Sequence, residues 1–250
     1  MSGRVYKGAF AYKTDIGKIR INNEDQAFVA VNGHGEVLLC VCDGMGGQNK
    51  GDYASKMASS IISSAFLEKK KTLPIFARSW LVKAIKKANA AIYKEASSNP
   101  VYAEMGTTCV CVMICENRLI VANVGDSRAY SFANGRLGKL TEDQTYVDYL
   151  LRTGKIEESE TATRSDRHVL MNALGIYPSA SLDSKIVPYC GEAILLCSDG
   201  LYNNLSEGEI RACLGTEDRP DEKVNTLILE ANEHGGSDNI AVAYWECVND

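Results

Sequence analysis

The chain has 250 residues, a formal net charge of −5 and a pI near 5.4, so no broad basic surface for nucleic acid is predicted. Hydrophobic residues make up 45% and charged residues 24% of the sequence, as in a globular protein with a large core. No apolar run approaches the ~20 residues of a membrane helix, and residues 1–10 lack a secretory signal core. We expect a cytoplasmic protein with one domain over residues 1–250 and neither membrane nor nucleic-acid partners.

The first elements lead to one carboxylate. A strand is predicted over Tyr6–Tyr12, and a polar loop rich in acids follows it. Two further strands are predicted over residues 27–31 and 36–42, and the second is apolar throughout from Val37 to Cys42. The apolar run ends in Asp43. Because a strand buried on both faces cannot hold a free charge cheaply, Asp43 needs a cation or several hydrogen-bond donors where the strand leaves the core.

Helices and short-loop strands occupy the middle of the chain. Apolar residues recur at helical spacing over residues 54–65 and 77–92, which predicts two amphipathic helices. Three strands follow with connections short enough for antiparallel neighbours. Thr141 and Gln144 have the spacing of a capping box, which predicts a short helix opening from Leu140. The three strands are predicted over residues 107–115, 118–124 and 127–132.

The last hundred residues repeat the strand-then-acid pattern. From about residue 146 to 180 the chain is polar and irregular, which indicates an insertion or flap. The strand at 193–197 ends in a second Asp-Gly pair, Asp199-Gly200. Strand blocks separated by helix pairs, without regular β-α alternation, predict an α+β fold of antiparallel sheets with helices outside. The remaining predictions are a strand at 182–187, a helix capped by Ser206 and Glu209, a helix starting at Pro220 and a strand at 240–245.

The nine cysteines contain no Cys-x-x-Cys pair. Cys40 and Cys42 are two residues apart on one predicted strand, as are Cys109 and Cys111 on another, so each pair shares a face. We predict that they are small core residues, and their spacing does not predict a structural zinc site.

Acidic residues at the strand–loop junctions indicate the chemistry. Hard divalent cations such as Mg²⁺ and Mn²⁺ prefer oxygen ligands, and carboxylates holding two such ions can activate water for phosphoryl hydrolysis. Arg20 lies four residues before Glu24 and is suited to bind a phosphate. No motif for a covalent nucleophile or for nucleotide binding is present. The junction acids are Glu24, Asp25, Asp43, Asp126, Asp199 and Asp238.

Taken in order, these motifs strongly resemble the metal-dependent serine/threonine protein phosphatases, the PPM or type 2C family, over about residues 5 to 246. The lack of extensions is similar to compact bacterial members. The matching residues are Asp15-x-Gly17-x-x-Arg20-x-x-Asn23-Glu24-Asp25, Asp43-Gly44-Met45-Gly46-Gly47, Gly106-Thr107-Thr108, Asn123-Val124-Gly125-Asp126-Ser127-Arg128, Leu140-Thr141-x-Asp143, Ala173-Leu174-Gly175, Cys197-Ser198-Asp199-Gly200-Leu201 and Ser237-Asp238-Asn239.

The resemblance implies a central β-sandwich of two antiparallel sheets flanked by helices on both sides, in four layers αββα. It implies a metal site of two Mn²⁺ or Mg²⁺ ions at one end of the sandwich, with a mobile flap at about 146–180 beside it. Asp43 would bridge both ions, and the carbonyl of Gly44 would bind the second. Asp199 and Asp238 would complete the first ion, and Glu24 would act through metal-bound water.

The same resemblance assigns supporting roles. Arg20 would bind the substrate phosphate, and Asp126 with Asp199 would hold a third, weaker ion. Asp25 and Asn239 would support the ligands by hydrogen bonding, whereas Thr107 and Arg128 would serve the structure. Arg20, Asp43 and Asp199 would be the catalytic residues, Asp126 would be one of the metal ligands, and Asp25 and Asn239 would support them.

The expected reaction is hydrolysis of phosphoserine and phosphothreonine in proteins by a metal-activated water, in a monomer that opposes a cytosolic serine/threonine kinase. Met45 and Gln48 stand where some members carry a histidine, so the resemblance supplies no protein general acid. The flap sequence Ser165-Asp166-Arg167-His168 also departs from the commoner form, which leaves its preference open. Two alternatives remain: a pseudoenzyme that has kept only the fold, and a hydrolase of small phosphate esters.

Overall fold

The chain folds into the elements that its apolar periodicities predict, with a few exceptions. The structure is a computed structural model that describes residues 5–46, 50–71, 73–161 and 164–248. The strands are β1 Gly8–Asp15, β2 Asp25–Val31, β3 Val37–Met45, β4 Gly106–Thr107, β5 Cys109–Cys115, β6 Arg118–Val124, β7 Arg128–Ala133, β8 Arg136–Lys139, β9 Asp183–Pro188, β10 Ala193–Cys197 and β11 Ile240–Cys247. The helices are α1 Lys50–Leu67, α2 Ala77–Ser98, α3 Tyr146–Arg152, α4 Glu158–Thr161, α5 Asp199–Tyr202, α6 Glu207–Leu214 and α7 Pro220–Glu233, with 3₁₀ turns at Pro74–Phe76 and Pro100–Tyr102.

Two antiparallel sheets form the centre of the molecule. One has the strand order β1-β11-β10-β7-β8, and the other has the order β2-β3-β5-β6-β9 with β4 paired to β3. The first and last strands are neighbours in the first sheet, where β1 pairs with β11 over its whole length. Long-range pairing of this kind brings the first polar loop next to the segment that precedes the last strand.

Strand β3 shows how the layers are built. Leu39 and Val41 face the core between the sheets, whereas Leu38 and Cys40 face a second core shared with α1 and α2. A third core lies between the first sheet and α5, α6 and α7. A strand covered on both faces must be apolar throughout, which explains the unbroken run before Asp43. The predicted α+β fold with its αββα layers is confirmed.

The predicted helix opening from Leu140 is wrong. Thr141 does not cap a helix, because its hydroxyl accepts a hydrogen bond from the Ala129 amide at 3.1 Å. The Gln144 side chain accepts instead from the amide of Gly125 at 3.0 Å. The helix begins at Tyr146 and is capped by Thr145, whose hydroxyl accepts from the backbone amide of Asp148. Tertiary hydrogen bonds therefore use the two residues that local spacing assigned to a cap.

Smaller differences have local causes. The strand predicted over 107–115 is broken at Thr108, whose backbone and side chain bind Asp43. Strand β8 and helix α5 were not predicted, since each is only four residues long. The capping box of Ser206 and Glu209 is present as predicted. Gly47 and Gln48, which belong to the glycine-rich motif, lie outside the described residues.

The segment from about 146 to 180 carries α3 and α4 and returns to the body of the molecule at its end. Leu174 forms a bridge with Thr107 of β4. The side chain of Asn89 on α2 accepts a hydrogen bond from the Gly175 amide at 2.9 Å and donates to the carbonyl of Tyr177 at 3.1 Å. None of the helices in the described part of the chain has the length and apolar character to cross a membrane.

Candidate active site

A cavity of about 570 Å³ opens at one end of the sandwich, where several strands begin or finish. It gathers every predicted site residue except Asp25, which is buried behind it. The residues are distant in sequence and come from both sheets. The cavity is lined by Arg20, Glu24, Asp43, Gly44, Met45, Gly46, Thr108, Asp126, Arg167, His168, Leu170, Asp199, Asn203, Ser237, Asp238 and Asn239.

The backbone of Asp43 is held on both sides. Its amide donates to the Thr108 hydroxyl at 2.9 Å, and its carbonyl accepts from the Thr108 amide at 2.8 Å and the Thr107 hydroxyl at 2.9 Å. The Thr108 hydroxyl also contacts the Ser127 hydroxyl at 2.7 Å. These bonds occupy the polar backbone atoms of Asp43, so its carboxylate is the group left for the cavity.

Asp25 lies directly opposite Asp43 across the β2–β3 pair. One carboxylate oxygen accepts from the Ser198 hydroxyl at 2.6 Å, and the other is buried with no hydrogen-bond partner within the described residues. Burial, together with the charges of Asp199 and Asp238, raises the pKa of Asp25 to about 8, although the Ser198 hydrogen bond opposes the shift. A carboxylate in this position needs nearby positive charge to stay ionised.

The pKa values of three neighbouring carboxyl groups are raised as well. Burial, followed by the charges of Asp25 and Asp199, raises the pKa of Asp43 well above its usual range. Burial and the charge of Asp199 raise the pKa of Asp126 to about 7. Burial and the charge of Asp238 raise the pKa of Asp199 to about 6, although Arg20 opposes this shift. The acids thus repel one another in a poorly solvated place.

Arg20 contacts this acidic group. Its guanidinium donates to Asp238 at 2.7 Å, and this hydrogen bond raises the pKa of Arg20 despite its partial burial. The side chain is 53% exposed, so its remaining N–H groups can reach a ligand in the cavity.

Asn239 fastens the first polar loop to the site. Its amide group donates to the carbonyls of Ile16 and Asn22 at 2.9 Å each, and its oxygen accepts from the Glu24 amide at 2.9 Å. The backbone carbonyl of Glu24 in turn accepts from the Gly44 amide at 3.2 Å. Asn239 therefore positions the loop that carries Arg20 and Glu24.

Gly44 and Gly51 make a close backbone contact beside Glu24. A Cβ atom on Gly44 would lie 2.2 Å from the Gly51 carbonyl oxygen and 2.6 Å from that of Glu24. A Cβ atom on Gly51 would lie 2.6 Å from the Glu24 carboxylate. Only glycine fits at both positions, which explains the glycine that follows Asp43.

The structure also adds residues to the site that the sequence reasoning did not select. Asn203, the residue that follows α5, donates to the Asp199 carboxylate at 3.0 Å, and this helix is too short to be predicted. Thr108 lines the cavity beside Asp43. Arg167 and His168 also line it, although the sequence had marked them only as an unusual flap motif. The i, i+4 spacing of Asp199 and Asn203 was the one available signal.

The donor set fits divalent cations. It consists of carboxylate and carbonyl oxygens, which Mg²⁺ and Mn²⁺ prefer. The raised pKa values of Asp25, Asp43, Asp126 and Asp199 show that the protein's own cations do not balance the negative charge. The buried Asp25 oxygen without a partner leads to the same conclusion. A two-sheet sandwich with such a site has the features of a metal-dependent hydrolase.

Comparison with known proteins agrees with this class. The family described as Protein phosphatase 2C matches residues 18–222. The serine/threonine phosphatase stp of Listeria monocytogenes is 38% identical over 237 residues, which cover 94% of each chain. The chain belongs to the protein phosphatase 2C family and is a protein phosphatase, which makes it a hydrolase.

Two solved structures show the same fold. The serine/threonine phosphatase of S. agalactiae superposes with a TM-score of 0.91 at 32% identity, covering 97% of this chain and all of the other. The catalytic domain of the phosphatase PstP, described in complex with 2 manganese ions, has a TM-score of 0.83 at 30% identity and covers 97% and 99% of the two chains. The resemblance stated from the motifs is confirmed at the level of family and fold.

Proposed function

We propose that this phosphatase hydrolyses phosphoserine and phosphothreonine in proteins at a centre of two Mn²⁺ or Mg²⁺ ions. The observation that carries the proposal is the group of buried, mutually repelling carboxylates in one cavity with Arg20 at its wall. Asp43 would bind both ions, the Gly44 carbonyl the second ion, and Asp199 and Asp238 the first, while Glu24 would act through water. The relatives' names, serine/threonine phosphatases, support the choice of substrate.

When bound, the ions supply positive charge that activates water and stabilises the charge on the phosphoryl group. The chain's residues supply the positions. Thr107 and Thr108 fix the backbone of Asp43, so its carboxylate keeps one place in the cavity. Asn239 fixes the loop that carries Arg20 and Glu24. Arg20 binds the phosphate with the N–H groups that Asp238 does not use, and it thereby orients the phosphorus towards the carboxylates.

Leaving-group protonation is assigned to the Asp126 side of the cavity. Asp126 is 6% exposed, and burial raises its pKa to about 7, so it is poised to hold either a proton or a third, weakly bound ion. The segment at about 146–180 acts as the flap of this site, since Arg167, His168 and Leu170 line the same cavity. We treat the flap as part of a single phosphatase domain.

The cellular setting follows from the chemistry. A phosphorylated serine or threonine is the product of a protein kinase, so the enzyme opposes such a kinase. One chain can supply all the proposed ligands, so the proposed reaction requires no more than a monomer. All nine cysteines are free in the described structure, which agrees with a reducing, cytoplasmic compartment.

The decisive experiment measures phosphopeptide hydrolysis with Mn²⁺, with Mn²⁺ and excess EDTA, and with Asp43→Asn. Wild type is expected to turn over only with free Mn²⁺, and Asp43→Asn is expected to lose both turnover and Mn²⁺ binding by calorimetry. Asp218→Asn, at an exposed acid in the α6–α7 connection, is the matched control. Full activity in EDTA or in Asp43→Asn would refute the two-ion proposal. No turnover by wild type on any phosphoester would instead indicate a pseudoenzyme, and hydrolysis of p-nitrophenyl phosphate alone would indicate a small-ester hydrolase.

A further inference from the structure

Four thiols meet in the core between the second sheet and the helices α1 and α2. The β3–β5 register places Cys40 directly opposite Cys111 and Val41 opposite Val110, so Cys42 and Cys109 follow beside them. All four cysteines are fully buried in the same cluster. Their spacing along each strand predicted only a shared face, and it is the pairing of the strands that unites the two pairs.

The sulfur atoms converge instead of lying parallel. Side chains two residues apart on a strand start about 6.6 Å apart. The sulfurs of Cys40 and Cys42 are nevertheless 3.7 Å apart, and so are those of Cys109 and Cys111. The sulfurs of Cys40, Cys109 and Cys111 all lie within 4.8 Å of one another. A tetrahedral zinc site with Zn–S bonds of about 2.3 Å has sulfurs about 3.8 Å apart, which is close to these separations.

The environment favours one thiolate in the cluster. The thiols of Cys111, Cys40 and Cys42 donate hydrogen bonds that hold the pKa of Cys109 well below its usual value. Hydrogen bonding to Cys109, together with burial, raises the pKa values of Cys40 and Cys111 well above theirs, so a cation must displace the protons of these two thiols. The rest of the cluster is apolar, so the ligands available to a cation there are soft sulfurs. Soft thiolates select Zn²⁺ or Cu⁺ over the hard ions that suit the carboxylate cavity.

We propose that Cys40, Cys109 and Cys111 form a buried thiolate site for one soft cation, Zn²⁺ or Cu⁺, that ties β3 to β5. Binding forms three metal–sulfur bonds and releases one proton from each of these sulfurs that is still protonated, without oxidation or reduction. Zn²⁺ is favoured because three thiolates around it leave a net charge of −1, against −2 around Cu⁺, and buried charge is costly. The cation would brace β3, the strand that carries Asp43, and it is separate from the hydrolytic ions.

The test counts metal in the full-length chain. Protein purified under reducing conditions is treated briefly with EDTA, which removes ions from the open carboxylate cavity, and is then analysed by mass spectrometry for zinc and copper. A second sample is refolded from denaturant with Zn²⁺, with Cu⁺ or with Mn²⁺ alone. We expect about one soft cation per chain to survive EDTA and to be released when a mercurial reagent titrates the thiols.

Two variants locate the site. Cys111→Ser is expected to lose the EDTA-resistant metal, whereas Cys213→Ser, at a buried cysteine of α6 outside the cluster, is expected to retain it. Cys111→Val preserves an apolar core if the serine variant does not fold. Refolding with Co²⁺ adds a thiolate-to-cobalt charge-transfer band as a direct signature of sulfur ligation.

Each outcome decides the proposal. Wild type without soft metal, both as purified and after refolding with Zn²⁺ or Cu⁺, would show that the thiols are hydrogen-bonded core residues only. Metal retained in Cys111→Val would place the cation elsewhere and would equally overturn the site. If the protein retains metal after refolding with only one of the two ions, Zn²⁺ or Cu⁺, that ion is the one the site binds. Phosphatase activity enters none of these readouts, so the result is independent of the proposed function.

Discussion

The phosphate-binding role proposed for Arg20 allows a quantitative test. Replacement by alanine removes the guanidinium from the cavity wall, where it donates to Asp238 at 2.7 Å. A hydrogen bond to a charged group contributes about 1.5–3 kcal/mol, which corresponds to a rise in KM of roughly 10- to 150-fold. Because Arg20 is 53% exposed, water screens its charge, and we expect a value near the lower limit, about tenfold.

Arg20→Ala should weaken substrate binding, but it should not weaken Mn²⁺ binding. Arg20 competes with a cation for Asp238 and repels it through space, so its removal should leave Mn²⁺ affinity unchanged or increased. Arg20→Lys keeps the positive charge but loses the planar guanidinium group and its paired N–H donors. Its KM should lie between those of the wild type and Arg20→Ala. Arg219→Ala is the matched control, because that arginine lies outside the cavity and makes exposed ion pairs with Asp221 and Glu222 at the start of α7.

The assay is steady-state hydrolysis of a phosphopeptide at saturating Mn²⁺, combined with calorimetric titration of Mn²⁺ into the metal-free protein. Wild-type KM and kcat in Arg20→Ala would refute the reasoning and make Arg20 a solvated loop residue. A loss of Mn²⁺ affinity would refute the second part, since it would mean that Arg20 organises the ligands and does not compete for them.

Three further predictions concern the same cavity. Asp126→Ala should fold and keep two Mn²⁺ ions. It should lose most of its activity on a phosphopeptide but much less on p-nitrophenyl phosphate, because that leaving group needs little protonation. Equal losses on the two substrates would show that Asp126 does not assist the leaving group. Gly51→Ala should lose activity and about 1–3 kcal/mol of stability in urea unfolding, because its Cβ would lie 2.5 Å from the Gly44 carbonyl carbon. Gly208→Ala is the control and should be unaffected, because the nearest atom to its Cβ would be 3.7 Å away. The metal-free protein should lose stability as the pH rises from 5 to 9, because folding raises the pKa of Asp25 to about 8 and the folded state prefers the neutral carboxyl group. We expect the Tm to be several degrees lower at pH 9 than at pH 5, and Mn²⁺ should remove most of this difference. A Tm that rises with pH would contradict the burial argument.

Local pattern was sufficient for much of this protein. The apolar run before Asp43 and the second Asp-Gly pair at Asp199 predicted where carboxylates leave the core, because a strand buried on both faces has few other sequences open to it. The apolar periodicity of α1, α2 and α7 also predicted these helices correctly, because each of them buries one face. The ordered motifs then identified the family.

Local pattern failed where partners are distant in sequence. Thr141 and Gln144 looked like a helix cap, but strand pairing brought the amides of Ala129 and Gly125 within reach, and those bonds decided the conformation. The short strand β8 and the short helix α5 exist only because the rest of the fold supports them.

The site and the thiol cluster depended on tertiary structure in the same way. Asn239 fastens a loop more than 200 residues away in sequence, and no spacing rule reveals such a contact. Cys40 and Cys111 face each other because β3 and β5 pair in one register, and a shift of one residue would turn them to opposite faces. The sequence by itself determined which residues are buried and which acids end strands; the register and packing of the sheets decided which of them meet, because those distances are set by the whole chain.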